Sequence, residues 1–180
     1  EGRPRGVAGS ALACVLEGSR PLFVEIQALL NSAAYASPQR QAQGLDRTRL
    51  NMLMAVLENR LNLGLGNMDA FINVVGGLRL SDTASDLALC VAAASSFRNL
   101  PIRDNCILMG EVGLTGELRM ISDALRRVEE AGRLGIETCV LPTVNRKGIE
   151  KQAAKRKRDH WPDIVYVDTI AEALDISFGR

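Results

Sequence analysis

The stretch AFINVVGGLRLSDTASDLALCVAAASSFRN, residues 70–99, holds the most informative pattern in this sequence. Its first six residues form a mostly apolar run that predicts a buried strand, which the glycine pair at 76–77 interrupts. Ser81 or Asp82 is suited to cap the helix that follows, which is rich in small residues and ends near Asn99. A buried strand followed by a closely packed helix predicts a fold in which sheet and helices form layers.

Upstream of this stretch, the sequence predicts two strands and a helix. Two aliphatic runs, residues 10–16 and 22–29, are separated by residues of turn-forming composition and predict a pair of strands. The segment 31–44 is polar, and Asp46 then has the position of a helix N-cap. The apolar residues of this amphipathic helix recur at spacings of three and four: Leu50, Leu53, Met54, Leu57 and Leu61.

Downstream, the chain alternates between strands and helices. Residues 106–112 and 117–121 flank a turn with two glycines and predict an antiparallel hairpin, after which Asp123 is suited to cap a third helix. Residues 78–80 are predicted to extend the strand at 70–75. The other predicted elements are a strand at 138–141, a basic helix at 144–157, a strand at 164–167 and a helix at 169–174. This order predicts a single mixed α/β (α+β) domain.

The composition fits one globular domain. Of the 180 residues, 47% are apolar, 24% charged and only 4% aromatic, so aliphatic side chains are expected to fill one core. We expect residues 1–8 to be a flexible lead-in from a missing N-terminal part and residues 9–180 to form the domain. No apolar stretch has the length of a bilayer span and the first residues do not form a signal peptide, which predicts a soluble intracellular protein with no membrane partner.

The sequence offers few groups for metal or nucleotide chemistry. Its four cysteines are far apart, without the paired spacing of metal ligands, and are expected to be buried free thiols. The single histidine, His160, is expected at the surface or in packing. No stretch matches Gly-x-x-x-x-Gly-Lys-[Ser/Thr], so we do not expect ATP hydrolysis by this chain. The prediction is a chain with no cofactor, no metal ligand and no catalytic residue.

Several segments together resemble a known family. Four of them resemble the proteolytic domain of Lon proteases: residues 71–79, 82–88, 109–119 and 136–142. The closer resemblance is to the Lon-like C-terminal domain of the RadA (Sms) family of RecA-related DNA-repair ATPases, and it extends to residues 37–40 and most of 44–60. It covers most of residues 9–142. The resemblance implies a single layered domain like the Lon proteolytic domain, of the ribosomal protein S5 domain 2-like type.

The resemblance also locates the two catalytic positions of Lon enzymes, a serine and a lysine. Matching the motifs places the serine at Ala84 and the lysine at Arg127. Alanine has no nucleophile, and a guanidinium does not lose its proton in proteins and so cannot act as the base. Ser85 lies one residue further on, where a helix turns its side chain by about 100° away from the site, and it is expected to provide polarity at the helix start. We therefore predict that this chain is not an enzyme.

For the full-length protein, the resemblance implies a zinc finger and a RecA-like ATPase core ahead of this domain. ATP, magnesium and zinc are then expected in those missing parts. The implied assembly is a homo-oligomer, a hexameric ring that promotes recombination and branch migration, with DNA and RecA as partners. The implied location is the bacterial cytoplasm, or a plastid or mitochondrion for a eukaryotic source.

In that setting, the domain is expected to bind DNA through lysines and arginines that neutralise phosphates on one face. The sequence has no helix-turn-helix or aromatic stacking pattern, so contacts with the backbone of single-stranded or branched DNA are expected, without sequence specificity. The first basic set is favoured because it lies within the resembling region: Arg40, Arg47, Arg49, Arg60 and Arg98. The second basic set is denser and follows that region: Arg146, Lys147, Lys151, Lys155, Arg156, Lys157 and Arg158.

Three hypotheses remain open from the sequence. The domain is a DNA-binding module, a purely structural oligomerisation module, or a residual serine peptidase that uses Ser85. The first two are compatible, because a ring would place the same basic face around one axis and multiply weak contacts. Each basic set is also compatible with an ordinary solvated surface.

Overall fold

The computed structural model describes residues 6–34, 37–154 and 160–179. The strands are β1 (Ser10–Glu17), β2 (Arg20–Ser32), β3 (Arg40–Gln43), β4 (Met68–Val74), β5 (Cys106–Leu108), β6 (Glu111–Val112), β7 (Leu118–Arg119), β8 (Thr138–Pro142) and β9 (Asp163–Val167). The helices are α1 (Arg47–Leu61), α2 (Asp86–Arg98), α3 (Ala124–Arg133), α4 (Arg146–Ala153) and α5 (Ile170–Ser177). No helix in the described ranges is long and apolar enough to cross a membrane.

Seven strands form a central sheet in the order β3-β4-β2-β1-β5-β8-β9. The β1-β2 and β2-β4 pairs are antiparallel, and the other four neighbouring pairs are parallel. The hairpin of β6 and β7 is a separate two-stranded sheet. The prediction of a mixed α/β fold is thereby confirmed, while the more specific likeness to the Lon domain stays a prediction.

Helices cover the sheet from both sides because the strands bury alternate residues. In β2, Val24, Ile26, Ala28 and Leu30 join the larger core cluster, to which α1, α2 and α5 contribute their apolar residues. A second cluster on the other side of β1, β5 and β8 is built with apolar residues of α3 and α4. The helices α1 and α4 therefore lie in opposite layers.

Several predicted boundaries are confirmed. Asp46 caps α1 as predicted, because its side chain accepts a hydrogen bond from the Arg49 amide at 2.9 Å. The hairpin forms around residues 113–116, and α3 begins directly after Asp123. Asp123 itself has a left-handed backbone conformation, and its side chain makes no capping hydrogen bond.

Other boundaries are wrong for identifiable reasons. The polar segment 31–44 contains β3, an edge strand whose Gln41 and Gln43 face solvent, so it lacks the apolar alternation used to find strands. Residues 78–80 are not a strand. The predicted strand 106–112 is split into β5 and β6 because the Gly110 amide donates to the Ala84 carbonyl and turns the chain away from the sheet. The basic helix begins at Arg146, after a 3-10 turn, rather than at 144, and its predicted positions 155–157 lie outside the described residues.

Candidate functional site

Two aspartates with several hydrogen-bond partners lie between β4 and the first residue of α2, and we call residues 82–86 the elbow. It consists of a 3-10 turn, Thr83–Ser85, flanked by two aspartates. Asp82 caps the turn by accepting from the Ala84 amide at 3.0 Å. Its other carboxylate oxygen accepts from the Leu16 amide of β1 at 2.8 Å. The elbow is thereby fixed to the central sheet.

Arg127 of α3 binds the first aspartate of the elbow from inside the molecule. Its side chain is 0% exposed, and one terminal nitrogen lies 2.8 Å from Asp82 Oδ2. The same nitrogen donates to the Cys14 carbonyl at 2.6 Å, and Nε donates to the Ser122 carbonyl at 3.0 Å. Burial favours a higher pKa for the Asp82 carboxyl, but the hydrogen bonds from Arg127 and the two amides lower that pKa below its ordinary value.

At the positions matched to the Lon serine and lysine, Ala84 therefore contributes to packing and Arg127 forms an ion pair. Ala84 is 1% exposed and belongs to the apolar cluster that includes α3. Ser85 is also buried, and its hydroxyl donates back to the Asp82 carbonyl at 2.8 Å. This local hydrogen bond agrees with a role for Ser85 at the helix start. A residual peptidase that uses Ser85 would need this bond and the local packing to open.

Arg49 of α1 binds the second aspartate of the elbow. Its Nε donates to Asp86 Oδ1 at 3.0 Å, and a terminal nitrogen contacts Asp86 Oδ2. The Val112 amide of β6 also donates to Asp86 Oδ2, at 3.2 Å. The side chains are 26% exposed for Arg49 and 3% for Asp86. Burial raises the pKa of the Asp86 carboxyl, and the bonds from Arg49 and Val112 oppose that rise.

The members of the first basic set do not form one patch. Arg47, Arg49 and Arg60 lie on α1, but only Arg47 and Arg60 are exposed. Arg60 Nε donates to the Leu114 carbonyl at the turn of the hairpin, at 3.2 Å. Arg40 on β3 is partly buried and donates to the Leu65 carbonyl at 2.9 Å. Arg98 ends α2 and lies over the Phe178 ring, 5.7 Å from its centroid.

The described members of the second basic set, Arg146, Lys147 and Lys151, lie in the opposite layer, on α4. Lys147 and Lys151 are exposed there. Arg146 is paired with Glu150 at 3.2 Å and lies over the Tyr166 ring, 5.1 Å from its centroid. Lys155 and Arg156, like the basic residues at 157 and 158, fall outside the described residues. Because α1 and α4 lie on opposite sides of the sheet, the basic residues of α1 do not share one flat face with the described basic residues of α4.

Sequence reasoning missed Asp82 and Asp86 as partners of arginines. Their spacing of four residues at a helix start was a usable signal, since carboxylates buried there need cationic or amide partners. The partners themselves are 45 and 37 positions away and could not be assigned from spacing. Among the described residues, no cluster of histidine, cysteine or acidic side chains could hold a metal ion. The cysteines are buried and free, and burial raises the pKa of the Cys14 thiol to about 12.

Comparisons with known proteins show similarity over the whole chain. A family model described as subunit ChlI of Mg-chelatase matches residues 24–145. DNA repair protein RadA of Halalkalibacterium halodurans is 41% identical over 180 residues, which is 100% of this chain. RadA of Bacillus subtilis is 42% identical over 179 residues, or 99% of this chain, and RadA of Escherichia coli is 42% identical over 138 residues, or 77%. The chain spans 38% of the first two relatives and 30% of the third.

These comparisons correct the prediction that this chain is not an enzyme. The RadA relatives and the ChlI match point to an ATPase-type region in the chain. The prediction was wrong because it relied on one phosphate-binding motif and one pair of peptidase residues, and the absence of both does not exclude an ATPase-type region. The matching model is that of ChlI rather than a Lon-like domain. This chain therefore belongs to the family described as subunit ChlI of Mg-chelatase, and its relatives support the RadA family that the sequence motifs indicated.

Proposed function

We propose that this chain is the Lon-like part of a RadA-type protein of DNA repair and recombination. In this proposal it contacts the DNA backbone and contributes to the scaffold of a hexameric ring that promotes branch migration. The observation that carries the proposal is the similarity to RadA over the full chain, 41% identity across 180 residues. The layered α/β fold with exposed arginines on α1 is compatible with it.

The α1 side is the better candidate for the DNA contact. The side chains of Arg47 and Arg60 are exposed, and the helix carries one acidic residue, Glu58, against its three arginines. Arg60 keeps terminal nitrogens beyond the Nε that bonds to Leu114, so it can still donate to a phosphate. Contacts of this type neutralise phosphates without reading bases.

A scaffolding role is favoured by exposed apolar side chains around the hairpin. Leu114 at its turn and Met120 just after β7 are each 65% exposed. Such residues are suited to a contact between subunits, whereas they add nothing to phosphate binding. A purely structural module is the second candidate function, and it predicts self-association without affinity for DNA.

The test is binding of labelled single-stranded and duplex DNA across a salt series. The double variant Arg47→Glu/Arg60→Glu is compared with Lys147→Glu/Lys151→Glu, which makes the same change of charge on the opposite layer. We expect the first variant to bind at least about tenfold more weakly, with a salt slope reduced by about 1.4–1.8 for two lost phosphate contacts. The second variant should bind like the unaltered chain.

Two outcomes would overturn parts of the proposal. Loss of affinity only in the α4 variant would move the DNA contact to α4. No binding by the unaltered chain at low salt would remove the DNA contact and leave the scaffolding role. Sedimentation velocity of the same samples tests that role by measuring self-association. ATP turnover, measured in these samples, tests the ATPase-type region to which the relatives point.

A further inference from the structure

We propose that Arg49 is a positioning residue that fixes α1 against the elbow and the β6-β7 hairpin, and is not itself a phosphate contact. The proposal rests on the DNA-binding function proposed for the α1 side. Arg49 uses Nε and a terminal nitrogen on the two oxygens of the same carboxylate, Asp86. This is the bidentate arrangement that gives arginine its geometric specificity for carboxylates. A guanidinium held in this way has a fixed direction.

The carboxylate partner is in turn fixed by its surroundings. Asp86 is the first residue of α2, its side chain is 3% exposed, and it also accepts from the Val112 amide. If Arg49 turned outward to bind a phosphate, a buried carboxylate would lose its cationic partner. That loss is strongly unfavourable in the interior of a protein. Arg49 is therefore unsuited to be a phosphate ligand even though its side chain is partly exposed.

The position of Arg49 along α1 connects it to the hairpin. Arg60 follows eleven residues later, which brings it back to within about 20° around the helix axis at 100° per residue. Both side chains face the hairpin: Arg49 lies 3.5 Å from the Val112 carbonyl, and Arg60 donates to the Leu114 carbonyl at 3.2 Å. Arg49 thus anchors the side of α1 from which Arg60 is presented. Arg126, an exposed arginine of α3 in the opposite layer and outside the proposed DNA contact, is a matched control.

Positioning and direct contact predict opposite results for two substitutions. Asp86→Asn removes a negative charge, so a purely electrostatic surface would bind DNA as well as before or better. If Arg49 is a positioning residue, the same substitution weakens binding because the anchor is lost. Arg49→Lys keeps the positive charge, but one ammonium group cannot make the two parallel bonds of a guanidinium. Positioning predicts weaker binding for this variant too.

The experiment measures DNA affinity for the unaltered chain, Arg49→Lys, Asp86→Asn and the control Arg126→Lys. We expect Arg49→Lys and Asp86→Asn to bind at least about fivefold more weakly, a difference of roughly 1 kcal/mol. Arg126→Lys should stay within about twofold, because it makes the same change of side chain outside the proposed DNA contact. Since the pair is altered from either side, one variant that fails to fold leaves the other to decide.

Normal affinity of Arg49→Lys together with unchanged or tighter binding by Asp86→Asn would overturn the proposal and make Arg49 a phosphate contact. Hydrogen exchange of the hairpin amides gives a result that does not depend on DNA. In Arg49→Lys, the Gly113 and Gly116 amides, which are hydrogen-bonded within the hairpin, should exchange faster, and in the control Arg126→Lys they should not. If the unaltered chain does not bind DNA, the proposed function fails, and unchanged exchange in Arg49→Lys would show that the positioning role fails as well.

Discussion

The elbow is bound by basic residues of other helices and the surface of α4 carries its own, but the two groups are placed in opposite ways. At the elbow, Arg127 is fully buried and bonded to a carboxylate and two carbonyls. On α4, Arg146 is 57% exposed, and its partner Glu150 is 60% exposed. The difference shows that burial and the number of fixed acceptors decide whether a cation stabilises the fold or is available to a ligand. Neither the residue type nor the number of basic residues in a stretch of sequence decides it.

The largest expected effect is at Arg127. Arg127→Met leaves the Asp82 carboxylate without its cationic partner and removes the bonds to Cys14 and Ser122, so we expect the free energy of unfolding to fall by about 3–5 kcal/mol. Urea unfolding followed by circular dichroism measures it. Arg126→Met, at an exposed position next to it, should cost no more than about 1 kcal/mol. Equal losses in both variants would contradict the contrast between buried and exposed cations.

A smaller effect should depend on pH, and it comes from Asp82. The folded state lowers the pKa of this carboxyl below the ordinary 3.8, so its stabilising contribution is complete above pH 3.8 and decreases as the pH falls through the folded-state pKa. Near pH 7, Asp82→Asn should therefore be about 1–3 kcal/mol less stable than the unaltered chain. This difference in unfolding free energy should narrow below about pH 4. Unfolding of both proteins between pH 3 and 7 measures the gap.

Asp86 provides the matched contrast for that titration. Its folded-state pKa is raised, so its contribution is complete below the ordinary 3.8 and decreases as the pH rises through the folded-state pKa. The difference in unfolding free energy between the unaltered chain and Asp86→Asn should thus narrow as the pH rises, whereas the difference for Asp82→Asn should widen. The same trend in both variants would mean that the two aspartates do not differ in their protonation as their surroundings indicate.

The smallest effects are expected on α4. Arg146→Ala removes the contact with Tyr166 and an exposed ion pair, which together contribute about 0.5–1 kcal/mol. Lys151→Ala should change the free energy of unfolding by less than about 0.5 kcal/mol. Thermal unfolding of the two variants distinguishes them. A loss at Arg146 as large as the loss at Arg127 would show that exposure does not separate the two regions.

The sequence was informative where structure depends on neighbouring residues. The Asp46 cap, the hairpin at 113–116 and the apolar face of α1 follow from spacings of two to four residues, and the structure has them. The strand β3 escaped prediction because an edge strand with exposed glutamines lacks apolar alternation. Which arginines are buried could not be predicted, because Arg49 and Arg127 gain their partners only when distant segments pack together.

The network of Arg127 also bears on the order of events in folding. Its partners come from residues 14, 82 and 122, so one side chain joins segments up to 113 positions apart. Contacts between such distant segments carry a high cost of loop closure, and we expect this network to be completed after the folding transition state. Stabilising interactions of that kind slow unfolding while leaving the folding rate almost unchanged. We therefore expect the buried arginine to slow unfolding and so to prolong the lifetime of the folded domain.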